Sequence, residues 1–297
     1  LGELSKFLPE HSISITKNIK AKKYPFILQW AHSHTGDGTF LIKKESELVD
    51  IQKKFPDREA RVTEYIKGPM FTVNVVVSKN KIRLGNISYQ ITGLSPFTDN
   101  PFSTIGNDWS LPHSILTKKH IEELNSMAIS IGEKMKKDEW KGLFGIDVIY
   151  DEERDDLFLI EINARQPAST TYESYLQSIV RTIEHPGLTL FEAHLGALTG
   201  ESIISVSRIN DGAQIIQRVT KDKKDIETDK LEKAGYKTIK YENTKINSDL
   251  IRIQSEKGIM ETHNKFNNRG KEIENLLSQK IQDKDDKKIN RDNHDNM

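Results

Sequence analysis

Asp147, Glu161, Asn163 and Arg165 fall in one stretch, GLFGIDVIYDEERDDLFLIEINARQPASTT, at residues 142–171. Acidic and amide oxygens are hard ligands suited to Mg²⁺ or Mn²⁺. A guanidinium close by suits an anionic substrate or a charge that develops during reaction. Two apolar runs, 143–150 and 157–163, flank an acidic turn at 151–156, a pattern that reads as a β-hairpin. Side chains alternate faces along a strand, so Leu143, Gly145, Asp147 and Ile149 share one face of the first strand. By the same rule Leu157, Leu159, Glu161 and Asn163 share one face of the second. Centring the hairpin on its turn pairs Tyr150 with Phe158 and sets Asp147 opposite Glu161. Like charges opposite one another on a sheet are destabilising, and a buried unpaired carboxylate is costly. A divalent cation removes both costs. The alternative, on the residues alone, is a hairpin whose two acids are neutralised by basic neighbours.

The rest of the chain must position these groups. Residues 26–30 read as a strand that enters a loop rich in Gly, Ser, His and Thr; 39–43 return as a second strand, and Ser46 is placed to cap a helix over 47–54. Gly36 and Gly38 let backbone N–H groups approach an anion, and His32 and His34 are candidate phosphate contacts; an ordinary Gly-containing hairpin fits the same residues. A strand over 62–66, a turn at 67–69 and strands over 71–78 and 82–90 make a meander. Residues 91–116 are rich in Pro, Gly, Ser and Asn, and their length and aromatics point to a covering segment on the substrate side. Thr117 opens a helix with the apolar stripe Ile121, Leu124, Met127/Ala128, Ile131 and Met135, which is core packing. After Arg165, Thr170 or Thr171 caps a helix predicted to reach residue 184, and its N-terminus makes Ser169, Thr170 and Thr171 candidate substrate contacts. A further apolar helix at 188–198 ends at Gly200.

Composition excludes several classes. The 297 residues carry 44 basic and 44 acidic side chains, so net charge offers no electrostatic case for nucleic acid or an anionic membrane. Without cysteine there are no disulfides, thiolate zinc sites or thiol nucleophiles, which fits a cytoplasmic enzyme. No apolar run approaches membrane-spanning length.

G-I-D-V-I followed by L-I-E-I-N-A-R resembles the metal-binding hairpin of the ATP-grasp superfamily. The upstream segments resemble that family's phosphate loop and its adenine hinge, in the expected order over about residues 20–200. The resemblance implies an α+β fold in which two subdomains close on ATP. It places a remnant of a preceding segment at 1–24, the small subdomain with the phosphate loop at 25–66 and the large subdomain with the metal hairpin at 67–200. A small α/β appendage at 201–282, completing the sheet or packing on the preceding domain, and a disordered tail at 283–297 follow. It implies Asp147, Glu161 and Asn163 as ligands of Mg (or Mn), and Arg165 as the catalytic contact to a carboxylate or acyl phosphate. Gln29, His34, Thr35, Gly36, Gly38 and Thr39 then line the phosphates, and Glu64, Tyr65, Ile66 and Lys67 the adenine, with the Glu64 side chain facing the nucleotide. Two positions depart from the family. Gln29 stands where many members carry a phosphate-binding Lys, leaving Lys22, Lys23 or Lys43 to compensate, and Met70 stands where some place an acid on the ribose. The implied activity is ATP-dependent activation of a small carboxylate for attack by an amine. Biotin-carboxylase-like bicarbonate activation and a non-catalytic nucleotide-binding module are the alternatives. The family usually has a further N-terminal domain, expected here upstream of Leu1, and a homo-oligomer is left open.

Overall fold

Alternation in Phe26–Trp30 shapes the first half of the molecule. In the computed structural model, which describes residues 4–20, 23–30, 38–183, 186–223 and 225–278, Phe26, Leu28 and Trp30 are buried while Ile27 and Gln29 are half-buried. The first sheet comprises β1 (His11–Ile15), β2 (Phe26–Trp30), β3 (Thr39–Ile42) and β4 (Glu59–Glu64), with α1 (Glu45–Lys54) between β3 and β4. Its order is β1-β4-β2-β3, all antiparallel. Phe26, Leu28, Trp30, Ile42 and Ala60 pack with Leu48 of α1. The opposite, inner face carries Ile27, Gln29, Thr39, Leu41, Arg61 and Thr63, as the pairings Gln29↔Thr39, Gln29↔Arg61 and Ile27↔Thr63 require. β1 belongs to this sheet, which therefore takes in residues upstream of residue 25. The start of α1 is held by Glu47, whose carboxylate accepts the Lys43 N–H at 2.7 Å, rather than by Ser46.

The larger unit is built from β5 (Met70–Val77), β6 (Ile82–Leu84), β7 (Ser88–Thr92), β8 (Thr104–Asp108), α2 (Pro112–Ile115) and α3 (Lys118–Lys137). It continues through β9 (Gly142–Asp151), β10 (Asp156–Asn163), α4 (Thr170–Val180), α5 (Leu190–Thr199), β11 (Ala213–Arg218), α6 (Asp229–Lys233), β12 (Lys237–Lys240) and β13 (Asp249–Ser255). A short hairpin, β14 (Met260–Thr262) and β15 (Lys265–Phe266), leads into α7 (Asn268–Ser278). Eight strands run in the antiparallel order β10-β9-β5-β7-β8-β11-β13-β12, and β6 pairs with β5. One face buries Phe71, Val73, Val75 and Val77 against Leu124, Met127, Ala128 and Ile131 of α3, the expected stripe. Thr117 caps α3 with a reciprocal box: its hydroxyl accepts the His120 N–H, and the His120 ring accepts the Thr117 N–H. The other face carries α4 and α5, with Val76 and Leu143 packed against Leu190, Ala193 and Ala197. α4 starts at Thr170 without a side-chain cap and stops at Val180, short of residue 184. β11, β13 and β12 extend the same sheet, so residues 201–278 complete it. Among the described residues no helix is long and apolar enough to cross a membrane.

Candidate active site

The hairpin β9–β10 sets Asp147 opposite Glu161, but by a different register from the symmetric one. Tyr150 pairs with Leu157 and Val148 with Leu159; a β-bulge at Ile160 then brings Glu161 opposite Asp147 and Asn163 opposite Gly145. The extra residue reverses the faces. Leu157 and Leu159 point into the core, whereas Glu161 and Asn163 share the Asp147 face. The four residues therefore do not lie on one face, because alternation holds only within an uninterrupted ladder.

Asp147 is 7% exposed. The Thr72 hydroxyl donates to its Oδ1 at 2.8 Å and the Asn163 amide to its Oδ2 at 2.9 Å. Burial raises its carboxyl to about 6, the Glu161 charge adds to the rise, and hydrogen bonds from Thr72, Asn163 and Gln90 oppose it. No basic side chain forms an ion pair with Asp147 or Glu161 among the described residues; the cation whose charge acts on Glu161 is Arg61, bound to the neighbouring Ile160 carbonyl. Thr72 is a site residue that sequence reading missed. Its signal was the polar pair Thr72 and Asn74 on alternate positions of an otherwise apolar strand. Arg165 is exposed, and its Nη2 donates to the Asn163 Oδ1 at 3.0 Å, which brings it to the acidic cluster. Gly145 lets this cluster close: a Cβ there would lie 2.7 Å from Pro167 Cγ and 3.3 Å from Asn74 Oδ1.

Behind the cluster lies a second buried carboxylate. Glu173 of α4 accepts from the Asn74 side chain at 2.7 Å and from the Asn86 N–H at 2.6 Å. Burial raises it to about 7, against those hydrogen bonds. Ser169 is buried and accepts from Asn74, Thr170 is fully buried, and Thr171 is exposed. The first two therefore belong to the support of the hairpin.

On the small sheet, Gln29 and Thr39 occupy paired inner-face positions, and the Gly38 carbonyl accepts the Trp30 N–H at 3.0 Å. His32, His34, Thr35 and Gly36 lie outside the described residues, as does Lys22. Lys23 and Lys43 are exposed. The cation beside Gln29 is Arg61, which the sequence reading did not select. Its Nη2 donates to Gln29 Oε1 at 2.9 Å and to the Ile160 carbonyl at 3.0 Å.

The hinge places its backbone and its acid differently. Tyr65, Ile66 and Lys67 have no hydrogen bond to another described residue; Tyr65 and Lys67 are exposed and Ile66 is buried. The Glu64 side chain departs from its expected direction. It shares a face with Phe26, away from Arg61, where it accepts the Glu10 N–H at 3.0 Å and pairs with Arg154 at 3.1 Å. Arg154 also binds Asp151 and lies 4.3 Å over the Phe158 ring, which ties the hinge to the tip of the hairpin. Met70 opens β5 opposite Ile149.

No curated protein sequence matches this chain. Solved structures match it at low identity, which speaks to the fold alone. N5-carboxyaminoimidazole synthetase from Staphylococcus aureus, complexed with ADP, aligns with a TM-score of 0.66 and 16% identity, covering 92% of this chain and 67% of the other. Carboxyaminoimidazole ribonucleotide synthase from Aspergillus clavatus, complexed with ATP, gives 0.65 and 17%, over 93% of this chain and 70% of the other. The biotin carboxylase domain of the Hydrogenobacter thermophilus 2-oxoglutarate carboxylase, with MgADP and bicarbonate, gives 0.57 and 14%, over 80% and 54%. The chain thus spans about two thirds of the length of the two synthetases. The family model of the ATP-grasp domain matches residues 3–169, which include the small sheet and the hairpin. That match takes in more than half of the chain and ends just beyond Arg165, and the protein belongs to the ATP-grasp family.

Proposed function

We propose that the protein is an ATP- and Mg-dependent ligase that activates a small carboxylate as an acyl phosphate for attack by an amine. The observation that carries this reading is the buried Asp147, opposed by Glu161 and held only by uncharged donors. The donor set suits Mg²⁺: hard oxygens, with no group of three or more His, Cys, Asp or Glu that would form a protein cage among the described residues. Mg²⁺ characteristically takes one or two carboxylates and completes its shell with water and substrate phosphates. Asp147, Glu161 and the Asn163 amide would hold it, and when bound it would neutralise charge on the transferring phosphoryl group.

The chain's own residues then do the positioning on which phosphoryl transfer depends. The backbone of Tyr65–Lys67, without hydrogen bonds to other described residues, receives the adenine edge, and Ile27 and Leu41, paired on the inner face, offer it an apolar surface. Gln29, Gly38 and Thr39 lie along the phosphates; His34, Thr35 and Gly36, outside the described residues, are proposed as contacts from their place in the sequence. Arg165, exposed beside Asn163, binds the substrate carboxylate and stabilises charge on the acyl phosphate. Amine attack at the acyl carbon then expels phosphate.

Calorimetry of ATP binding with and without Mg²⁺, in the wild type and in Glu161→Gln, tests the site. The expected result is Mg-dependent binding that the substitution weakens at least tenfold. ADP release against a panel of carboxylates and bicarbonate tests the reaction. Stimulation by bicarbonate alone moves the assignment to the carboxylase reading, and tight nucleotide binding with no ADP from any acceptor defeats the ligase.

A further inference from the structure

Arg61 stands where the two sheets meet. On β4 it faces inward, paired with Gln29 of β2 on one side and Ile13 of β1 on the other. One nitrogen, Nη2, reaches Gln29 Oε1 within its own sheet and the Ile160 carbonyl on the hairpin. That carbonyl is available because the bulge leaves Ile160 without a partner in the register. The adjoining residue is Glu161, whose charge acts on the guanidinium. Nε and Nη1 make no hydrogen bond with another described residue, so much of the donor fork is unused. Gln29 supplies a hydrogen bond but no charge.

Through Ile160 and Glu161, Arg61 is brought beside the acidic pair. A polyphosphate that meets the carboxylates through cations would find there a guanidinium that matches its oxygens in charge and in bidentate geometry. We infer that Arg61 is the phosphate-binding cation of the small sheet, with Gln29 orienting its guanidinium toward the nucleotide. The inference rests on the ATP-site reading above and names the residue that supplies the charge Gln29 lacks. It also gives the bulge a second role, since the Ile160 carbonyl holds the same guanidinium from the far side.

The test is displacement of a fluorescent ATP analogue from the full chain by ATP and by adenosine, with Mg²⁺ present. A charge-assisted contact to phosphate is worth about ten- to a hundredfold in affinity. Arg61→Gln is therefore expected to weaken ATP by that factor and to leave adenosine within about twofold, which also shows that the variant is folded. Moving the charge across the strand pair, in the double variant Gln29→Lys with Arg61→Gln, is expected to recover most of the lost ATP affinity. Unchanged ATP affinity in Arg61→Gln, equal losses for ATP and adenosine, or no recovery in the double variant overturns the inference. Those outcomes leave the ATP site standing. A wild-type chain from which neither ATP nor adenosine displaces the analogue overturns the site reading itself, and the Arg61 assignment with it.

Discussion

Asp147 is a destabilising residue whenever it is ionised without a cation. The folded state holds its proton to about pH 6, whereas an unfolded aspartate releases it near 3.8. Between those values the folded chain binds more protons than the unfolded one, so stability falls as pH rises through that window and stays lower above it. The displacement corresponds to about 3 kcal/mol at neutral pH. Asn in its place carries no charge and still accepts the Thr72 hydroxyl, although it loses one acceptor for Asn163. Asp147→Asn is therefore expected to stabilise the nucleotide-free chain by about 1–2 kcal/mol at pH 7.5, less than the full displacement. That gain disappears near pH 4. The same variant is expected to lose Mg-dependent ATP binding. Urea unfolding at the two pH values checks the first claim and calorimetry the second. A variant less stable than the wild type at pH 7.5 would show that the carboxylate is a structural acceptor rather than a site kept at a cost.

The hairpin as an element is more constrained than its sequence looks. Gly145 pairs with Asn163 on one side and Asn74 on the other, and its lack of a side chain lets Pro167 pack onto β9. A Cβ at 2.7 Å from a proline ring must displace the 166–169 segment that links Arg165 to α4. Gly145→Ala is expected to cost about 1–3 kcal/mol of stability by urea unfolding, and to weaken ATP binding in the folded fraction because Arg165 moves with that segment. Unchanged stability and binding would place the strain in a segment that yields without reaching the site. What was legible here follows from what residue types encode. Apolar runs around an acidic turn gave both strands, and two acids at matching distances gave their opposition. The bulge was not legible, because one extra residue leaves no compositional trace, and without it Leu157 and Leu159 came out on the face of Glu161 and Asn163 instead of in the core. Arg61 was hidden for another reason. Its neighbour Gln29 lies 32 residues away, and only the β2–β4 pairing makes them adjacent. Glu64 had the residue type for a nucleotide contact, yet strand alternation turned it toward Arg154.

At the scale of the molecule, the site depends on a sheet that is finished by the last third of the chain. The sequence reads residues 201–282 as a small α/β appendage that either completes the sheet or packs on the rest. The fold joins them to the rest through β8. Ala213, Gln214 and Ile215 pair with Asp108, Asn107 and Gly106, and Asp108 accepts the N–H groups of Ile259 and Met260 at 2.7 and 2.9 Å. Ile215, Val219, Leu250, Ile251, Ile253, Ile273 and Leu277 are buried in the same core as the strands that carry Asp147 and Thr72. At about 2 kcal/mol for each buried side chain, these contribute on the order of 10 kcal/mol, comparable to the whole stability margin of a typical domain. Truncation after Gly200 would also leave β8 with an unpaired edge, a template for aggregation. The truncated chain is therefore expected to lose its cooperative thermal transition by circular dichroism, and with it ATP binding, although residues 3–169 of the family match remain intact. If it instead melts cooperatively within a few degrees of the full chain and binds ATP, the large sheet closes at β8 and the C-terminal strands are an accessory to it.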